Sequence, residues 1–251
     1  MDKDDEYTVT PSQRQSAPFF LSGFLAQSCV VAICVMIGLW MGVYSSHPGL
    51  DWTDTFHRLH LHPFLMVVAV VFSATEAILI FRMLRTISKP TVKAIHVFLH
   101  TATLALVGTA LAAVIKSKND LKFAHFYSAH SWFALIVLFL YASEYVAGII
   151  VFVLPTRCIS DTMRQNILPF HKFFGLCTYV FALITIGMGV FDFLESIVGT
   201  SAYSNLGLQA RLGNAICVIL LILGATVVHI LTRSTYARPS TSDSLFEPEP
   251  L

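Results

Sequence analysis

Apolar residues fall in six long runs, at about 19–44, 62–84, 94–115, 129–153, 169–191 and 211–232, separated by short polar stretches. Each run is long enough, at about 1.5 Å per helical residue, to cross about 30 Å of hydrocarbon. The breaks are read at His47-Pro48-Gly49, Lys89-Pro90, Lys116 to Asp120, Pro155 to Asn166 and Gly199 to Asn205. Gly, Pro and clustered polar residues punctuate helices in this way. The pattern predicts an all-α polytopic membrane protein with six transmembrane helices in one domain over 19–232, between polar tails at 1–18 and 233–251. Asp2, Asp4, Asp5 and Glu6 outnumber Lys3 and Arg14 in the first tail. A secretory signal has a basic start and an apolar stretch of about 7–15 residues, so the longer first run is expected to be a retained helix. The second tail is rich in Ser, Thr, Pro and Glu, a composition that predicts disorder.

Composition agrees with a bilayer setting. Of 251 residues, 55% are apolar and 12% charged, about half the charge of a water-soluble domain. A net charge of +1 offers no basic face for nucleic acid, so partners are expected within or beside the lipid bilayer. Five cysteines (Cys29, Cys34, Cys158, Cys177, Cys217) form no CxxC or CxxCH, which speaks against a disulfide framework, an iron–sulfur cluster or covalent haem. With both tails on one side, that side collects eleven basic residues against five. The positive-inside rule then puts both termini in the cytoplasm.

Four of the ten histidines lie near the predicted helix starts: His62, His96, His130 and His171 open the second to fifth segments. Alternating helix direction sets His62 level with His130 and His96 level with His171, at opposite membrane faces. Thirty-four residues separate His62 from His96, and His96 from His130. Two facing imidazoles can supply both axial ligands of a haem iron. Interfacial or packing histidines are the competing reading, although polar groups at membrane depth generally mark function.

The strings His62-Pro63-Phe64-Leu65-Met66-Val67, Ala77 to Arg82, Lys93-Ala94-Ile95-His96 and Tyr127-Ser128-Ala129-His130-Ser131-Trp132 resemble the cytochrome b561 family, especially its animal secretory-vesicle type. So do His171-Lys172-Phe173-Phe174-Gly175 and the stretch from Ile230 to Arg233 leading to Arg238-Pro239. The resemblance implies a four-helix haem-binding core of helices 2–5 and two haem b groups. It assigns the non-cytoplasmic haem to His62 and His130 and the cytoplasmic haem to His96 and His171. It also implies a homodimer in a secretory-vesicle, endolysosomal or plasma membrane.

The implied activity is that of a transmembrane ascorbate-dependent oxidoreductase. Electrons would pass from cytoplasmic ascorbate to monodehydroascorbate or a ferric chelate on the other side, the latter acceptor making it a ferric reductase serving iron uptake. By resemblance Lys93 and Arg164 contact ascorbate, and Arg82 and Lys89 approach haem; Arg85 and Arg157 are read as positive-inside residues. His125, Phe126, Tyr127 and Ser128 match a stretch that meets haem propionates. Asp192 falls where relatives place a Glu, and is otherwise an interfacial acid. Three departures bear on the sites: Lys118 replaces a histidine of many members, His60 stands where Asn is common, and Glu76 and Glu144 occupy positions where relatives tend to carry amides. Each Glu is expected to pair with a loop cation such as Arg82 or Lys172, or to stay protonated and hydrogen-bonded. His47, His57, His60 and His125 are read as solvated loop histidines or a metal-binding surface, and His229, Phe170, Phe173, Phe174 and Tyr179 as packing. The rival class is a non-haem membrane transporter, which would show inverted repeats or broken helices near the midplane; neither is evident.

Overall fold

The computed structural model describes residues 17–154 and 159–238. The expectations for residues 1–16, with Lys3 and Arg14, for Arg157 and Cys158 and for residues 239–251 lie outside the described residues, but the start of the second tail is not disordered as expected: Ser234–Tyr236 form a short 3-10 turn that buries Tyr236. Among the described residues six helices are long and apolar enough to cross a membrane: α1 Ala17–Tyr44, α2 Thr55–Met83, α3 Lys89–Leu121, α4 Ala129–Val153, α5 Asp161–Ser204 and α6 Leu208–Thr232. Among the described residues there is no strand.

The helix borders differ from the edges of the apolar runs, and capping explains the difference. A hydropathy edge marks where lipid begins, whereas a helix starts where a side chain accepts the free amide protons of its first turn. Asp54 accepts from the amides of Phe56 and His57 before α2. Ser88, Ser128 and Ser160 do the same for Thr91, Ser131 and Met163 at the starts of α3, α4 and α5. The amides of His57 and Phe56 hold the Asp54 carboxyl below its ordinary value. Asp161 to Asn166 is consequently helical, not loop, and Lys116 to Asp120 and most of Gly199 to Asn205 continue α3 and α5 past their apolar runs. His130 is the second residue of its helix, as expected, but His62 and His96 lie seven residues past their helix starts and His171 ten.

Wide π-helical turns occur at Trp40–Tyr44, Val68–Ala74, Ile149–Val153 and Leu194–Gly199. Such a turn accommodates an extra residue in a helix. The Val68–Ala74 stretch sits in the middle of α2. The Thr75 hydroxyl donates to the Val70 carbonyl there, 3.3 Å away, and meets the Tyr179 hydroxyl at 2.8 Å.

The dry core lies between α1, α2, α5 and α6. Ile33, Ile37 and Trp40 of α1 pack with Val71 and Leu79 of α2, Leu183 and Leu194 of α5, and Ile216, Leu223 and Ile230 of α6. The indole N–H of Trp40 is satisfied by Gln209 at 3.0 Å. Helix α4 buries only Val137 and turns Trp132, Ile136 and Phe139 outward. Lipid tails are as apolar as these side chains, so the hydrophobic effect gives no incentive to bury them, and polar links tie the helices instead. His100 bonds Tyr141, and the Thr101 and Tyr145 hydroxyls meet at 2.7 Å, joining α3 to α4. At the opposite end the buried Arg58 guanidinium joins α2 to Asp120 of α3 and donates to the Trp52 carbonyl and Thr55 hydroxyl. Phe170, Phe173 and Phe174, expected as packing residues, instead face outward on α5; Tyr179 is buried as expected.

Candidate functional site

His62 on α2 and His130 on α4 face each other with ring centroids 6.4 Å apart. Two imidazoles on opposite sides of one metal, with bonds of about 2.0–2.1 Å, would put their centroids roughly 6.3 Å apart. The spacing suits a single iron. His62 Nδ1 lies 3.2 Å from the Ala110 carbonyl of α3, and His130 Nδ1 lies 3.0 Å from the Thr185 carbonyl of α5. A carbonyl can only accept, so each Nδ1 carries the proton and donates it. Each Nε2 is left with a lone pair for a metal.

The same hydrogen-bonding pattern recurs at the other end of the bundle. His96 Nδ1 donates to the Ala77 carbonyl of α2 at 2.7 Å, and His171 Nδ1 donates to Glu144 Oε2 of α4 at 2.8 Å. Phe81 and His100 pack edge-on against His96 at 5.3 and 4.5 Å, and Phe152 lies 5.2 Å from His171. All four rings thus present Nε2 to a ligand while their other nitrogen is fixed. That donor set fits haem iron.

These bonds form two reciprocal clamps. Helix α2 supplies His62 and receives His96 at Ala77, while α3 supplies His96 and receives His62 at Ala110. Helix α4 supplies His130 and receives His171 at Glu144, while α5 supplies His171 and receives His130 at Thr185. Fourteen residues separate ligand and acceptor on α3, α4 and α5, which is close to four turns and keeps both on one face. On α2 the separation is fifteen, and α2 is the helix whose interval contains π-helical turns. The two levels therefore lie about 21 Å apart along each helix.

Around His130 the chain opens a cleft lined by Ser128, Ala129, Gly187, Met188, Phe191 and Asp192. The Ser128 hydroxyl donates to Asp192 Oδ2 at 3.0 Å, so these two predicted residues do meet. Tyr127 reaches Ser196 at 3.1 Å, His125 pairs with Asn119, and Phe126 adopts a left-handed backbone with φ 52°. Lys118 lies over the Tyr127 ring at 5.1 Å and donates to the Ala124 carbonyl.

Lys93 and Arg164 converge on the carbonyl end of α4. Lys93 Nζ donates to the Phe152 carbonyl at 3.0 Å and Arg164 Nη2 to the Leu154 carbonyl at 3.4 Å. Arg82 is held elsewhere at this end, donating to the Leu231 and Arg233 carbonyls that close α6. Arg85 donates to the Tyr236 carbonyl, and Lys89 is exposed at the start of α3.

Several expectations need correction. Neither glutamate pairs with Arg82 or Lys172: Glu76 accepts from Gln27 at 2.8 Å and Glu144 from His171. His60 is 2% exposed and packs near Phe193 in the core, so it is no loop histidine. His57 pairs with Asp51 at 2.6 Å and His47 stacks on Phe56, and among the described residues no three His, Cys, Asp or Glu side chains gather to hold a metal. Sequence reasoning missed the acceptors Ala77, Ala110, Thr185 and Glu144. The offset of fourteen or fifteen residues from each histidine was the available signal.

Comparison with known proteins bears on the same residues. Residues 61–196, which contain all four histidines, match the family of eukaryotic cytochrome b561. The transmembrane ascorbate-dependent reductase CYB561 of Sus scrofa is 30% identical over 232 residues, covering 92% of this chain and 90% of the relative. The ascorbate-specific transmembrane electron transporter 1 of Zea mays is 30% identical over 217 residues, covering 85% and 88%. A family match over more than half the chain, with relatives alike along nearly their whole length, establishes that this chain belongs to the eukaryotic cytochrome b561 family.

Proposed function

We propose that this protein transfers electrons across its membrane from cytoplasmic ascorbate to an acceptor on the other side, monodehydroascorbate or a ferric chelate, using two b haems. His62 and His130 would hold one haem, and His96 and His171 the other. The observation that carries this reading is the facing of His62 and His130 at 6.4 Å with both Nδ1 protons fixed, repeated in its hydrogen-bonding logic by the second pair. Haem, when bound, supplies a one-electron centre whose potential is set by axial ligand, burial and hydrogen bonding. Relatives named for ascorbate dependence support the donor.

The chain's own work is to hold, orient and admit. The clamps fix each imidazole's tautomer and direction, removing the reorganisation that would slow a change of charge at the metal. Lys93 and Arg164 stand at the end of α4, and among the described residues their partners are neutral carbonyls and an exposed aspartate. The Arg164–Asp161 contact, at 3.5 Å on the surface, contributes little. Both cations are therefore able to exchange these partners for an anion, and ascorbate is an anion at neutral pH. The excess of basic residues on this side supports its being cytoplasmic.

Reconstitution into vesicles loaded with ferricyanide tests the reading. Ascorbate added on the Lys93 side should reduce the interior, and Lys93→Ala or Arg164→Ala should lower the rate at limiting ascorbate about tenfold each, the loss of one charge-assisted hydrogen bond. Haem absorbance should stay the same. An unchanged rate in both variants removes the donor site, and colourless wild-type protein after haem supply removes the electron-transfer reading in favour of a transporter.

A further inference from the structure

Of the four ring nitrogens proposed to back haem ligands, three donate to neutral backbone carbonyls, and only His171 donates to a carboxylate, Glu144 Oε2 at 2.8 Å. Among the described residues no lysine or arginine forms an ion pair with Glu144. Its side chain is 24% exposed and that of His171 26%, so solvent screens the contact only in part.

We propose that Glu144 is a positioning residue that separates the potentials of the two redox centres, by drawing on the Nδ1 proton of His171 and giving that ring alone histidinate character. The inference rests on the haem ligation proposed above. A carboxylate is a stronger acceptor than an amide carbonyl, and a histidine bonded to one becomes a more basic ligand. A more basic ligand stabilises the oxidised, more positive metal, so the centre at His171 takes a lower potential than the same ligands would give with a neutral partner. The centre at His62 and His130 has carbonyl partners on both rings and takes no such shift. Lys172 does not cancel the effect, since the carboxylate's partner is the ring and not the ammonium.

Equilibrium redox titration of purified holoprotein, followed optically, provides the test. In Glu144→Gln one of the two components should show about a tenfold higher reduced-to-oxidised ratio at a fixed ambient potential, equal to about 59 mV for a one-electron couple, with the other component unmoved. A purely structural contact would change haem retention without moving either midpoint. Two haems bound with both midpoints unchanged overturns this inference alone, whereas wild-type protein that binds no haem overturns the ligation on which it stands. Should Glu144→Gln lose haem, the near-infrared charge-transfer bands of oxidised wild-type protein decide. Two resolved bands are expected, one moved by histidinate character, and a single band overturns the proposal.

Discussion

His62→Ala is expected to yield a folded protein with half the wild-type haem-to-protein ratio and at least about 100-fold slower transmembrane reduction in loaded vesicles. Changing a group that only supports a metal ligand costs about 10–100-fold in affinity. Removal of the ligand itself must exceed that. The substitution also releases the Ala110 carbonyl, but it leaves the second level intact, because the group on α2 that fixes His96 is the backbone carbonyl of Ala77 and not a side chain. The remaining absorption band should therefore belong to the His96–His171 centre and should still be reduced by ascorbate from the Lys93 side. With the two levels about 21 Å apart along the helices, the far acceptor is then left without a carrier at its own face. Haem analysis paired with the vesicle assay checks both halves; an unaltered haem ratio would remove His62 as a ligand.

Gly189→Ala is expected to loosen the same centre without touching any ligand. A Cβ at this position would lie 2.8 Å from His130 Cε1 and 3.1 Å from its Nδ1. The ring cannot yield cheaply. It is bonded at 3.0 Å to the Thr185 carbonyl, one turn earlier on the same helix, so moving away from Gly189 would strain that bond. Overpacking of this kind costs about 1–3 kcal/mol, which corresponds to roughly 10–100-fold faster loss of haem from that pair. Release to a haem scavenger should become biphasic, with one fast half and one half at the wild-type rate. Uniform release at the original rate would show that the ring has room the geometry denies it.

The membrane architecture was legible because hydrocarbon imposes a length and a composition that no soluble helix needs. The histidine pairs were legible for a related reason: alternating helix direction converts sequence position into depth. Helix borders were misread where apolarity stops before the helix does. Asp54, Ser88, Ser128 and Ser160 announce the true starts, and each is an ordinary capping residue. Of the two readings of the glutamates, the one with a loop cation fails: charge suggests a cation as partner, whereas the fold offers Glu76 an amide and Glu144 an imidazole to hydrogen-bond. His60 is misplaced for a different reason: sequence judges it by its polar neighbours, whereas the fold buries it beside the Phe193 ring. Backbone acceptors such as Ala110 and Thr185 leave no mark in residue type at all; only their spacing from a histidine points to them.

The π-helical stretch of α2 gives that helix one residue to spare. Because this helix spends fifteen residues where its neighbours spend fourteen, deleting one residue between Val68 and Ala74 should leave a regular helix with the fourteen-residue spacing of the other three. The Ala77 carbonyl should still reach His96, whereas a deletion between His96 and Ala110, where the helix is regular, would swing everything beyond the cut by about 100° around the axis. One and the same length change should therefore disconnect the two ends in α3 and leave them connected in α2.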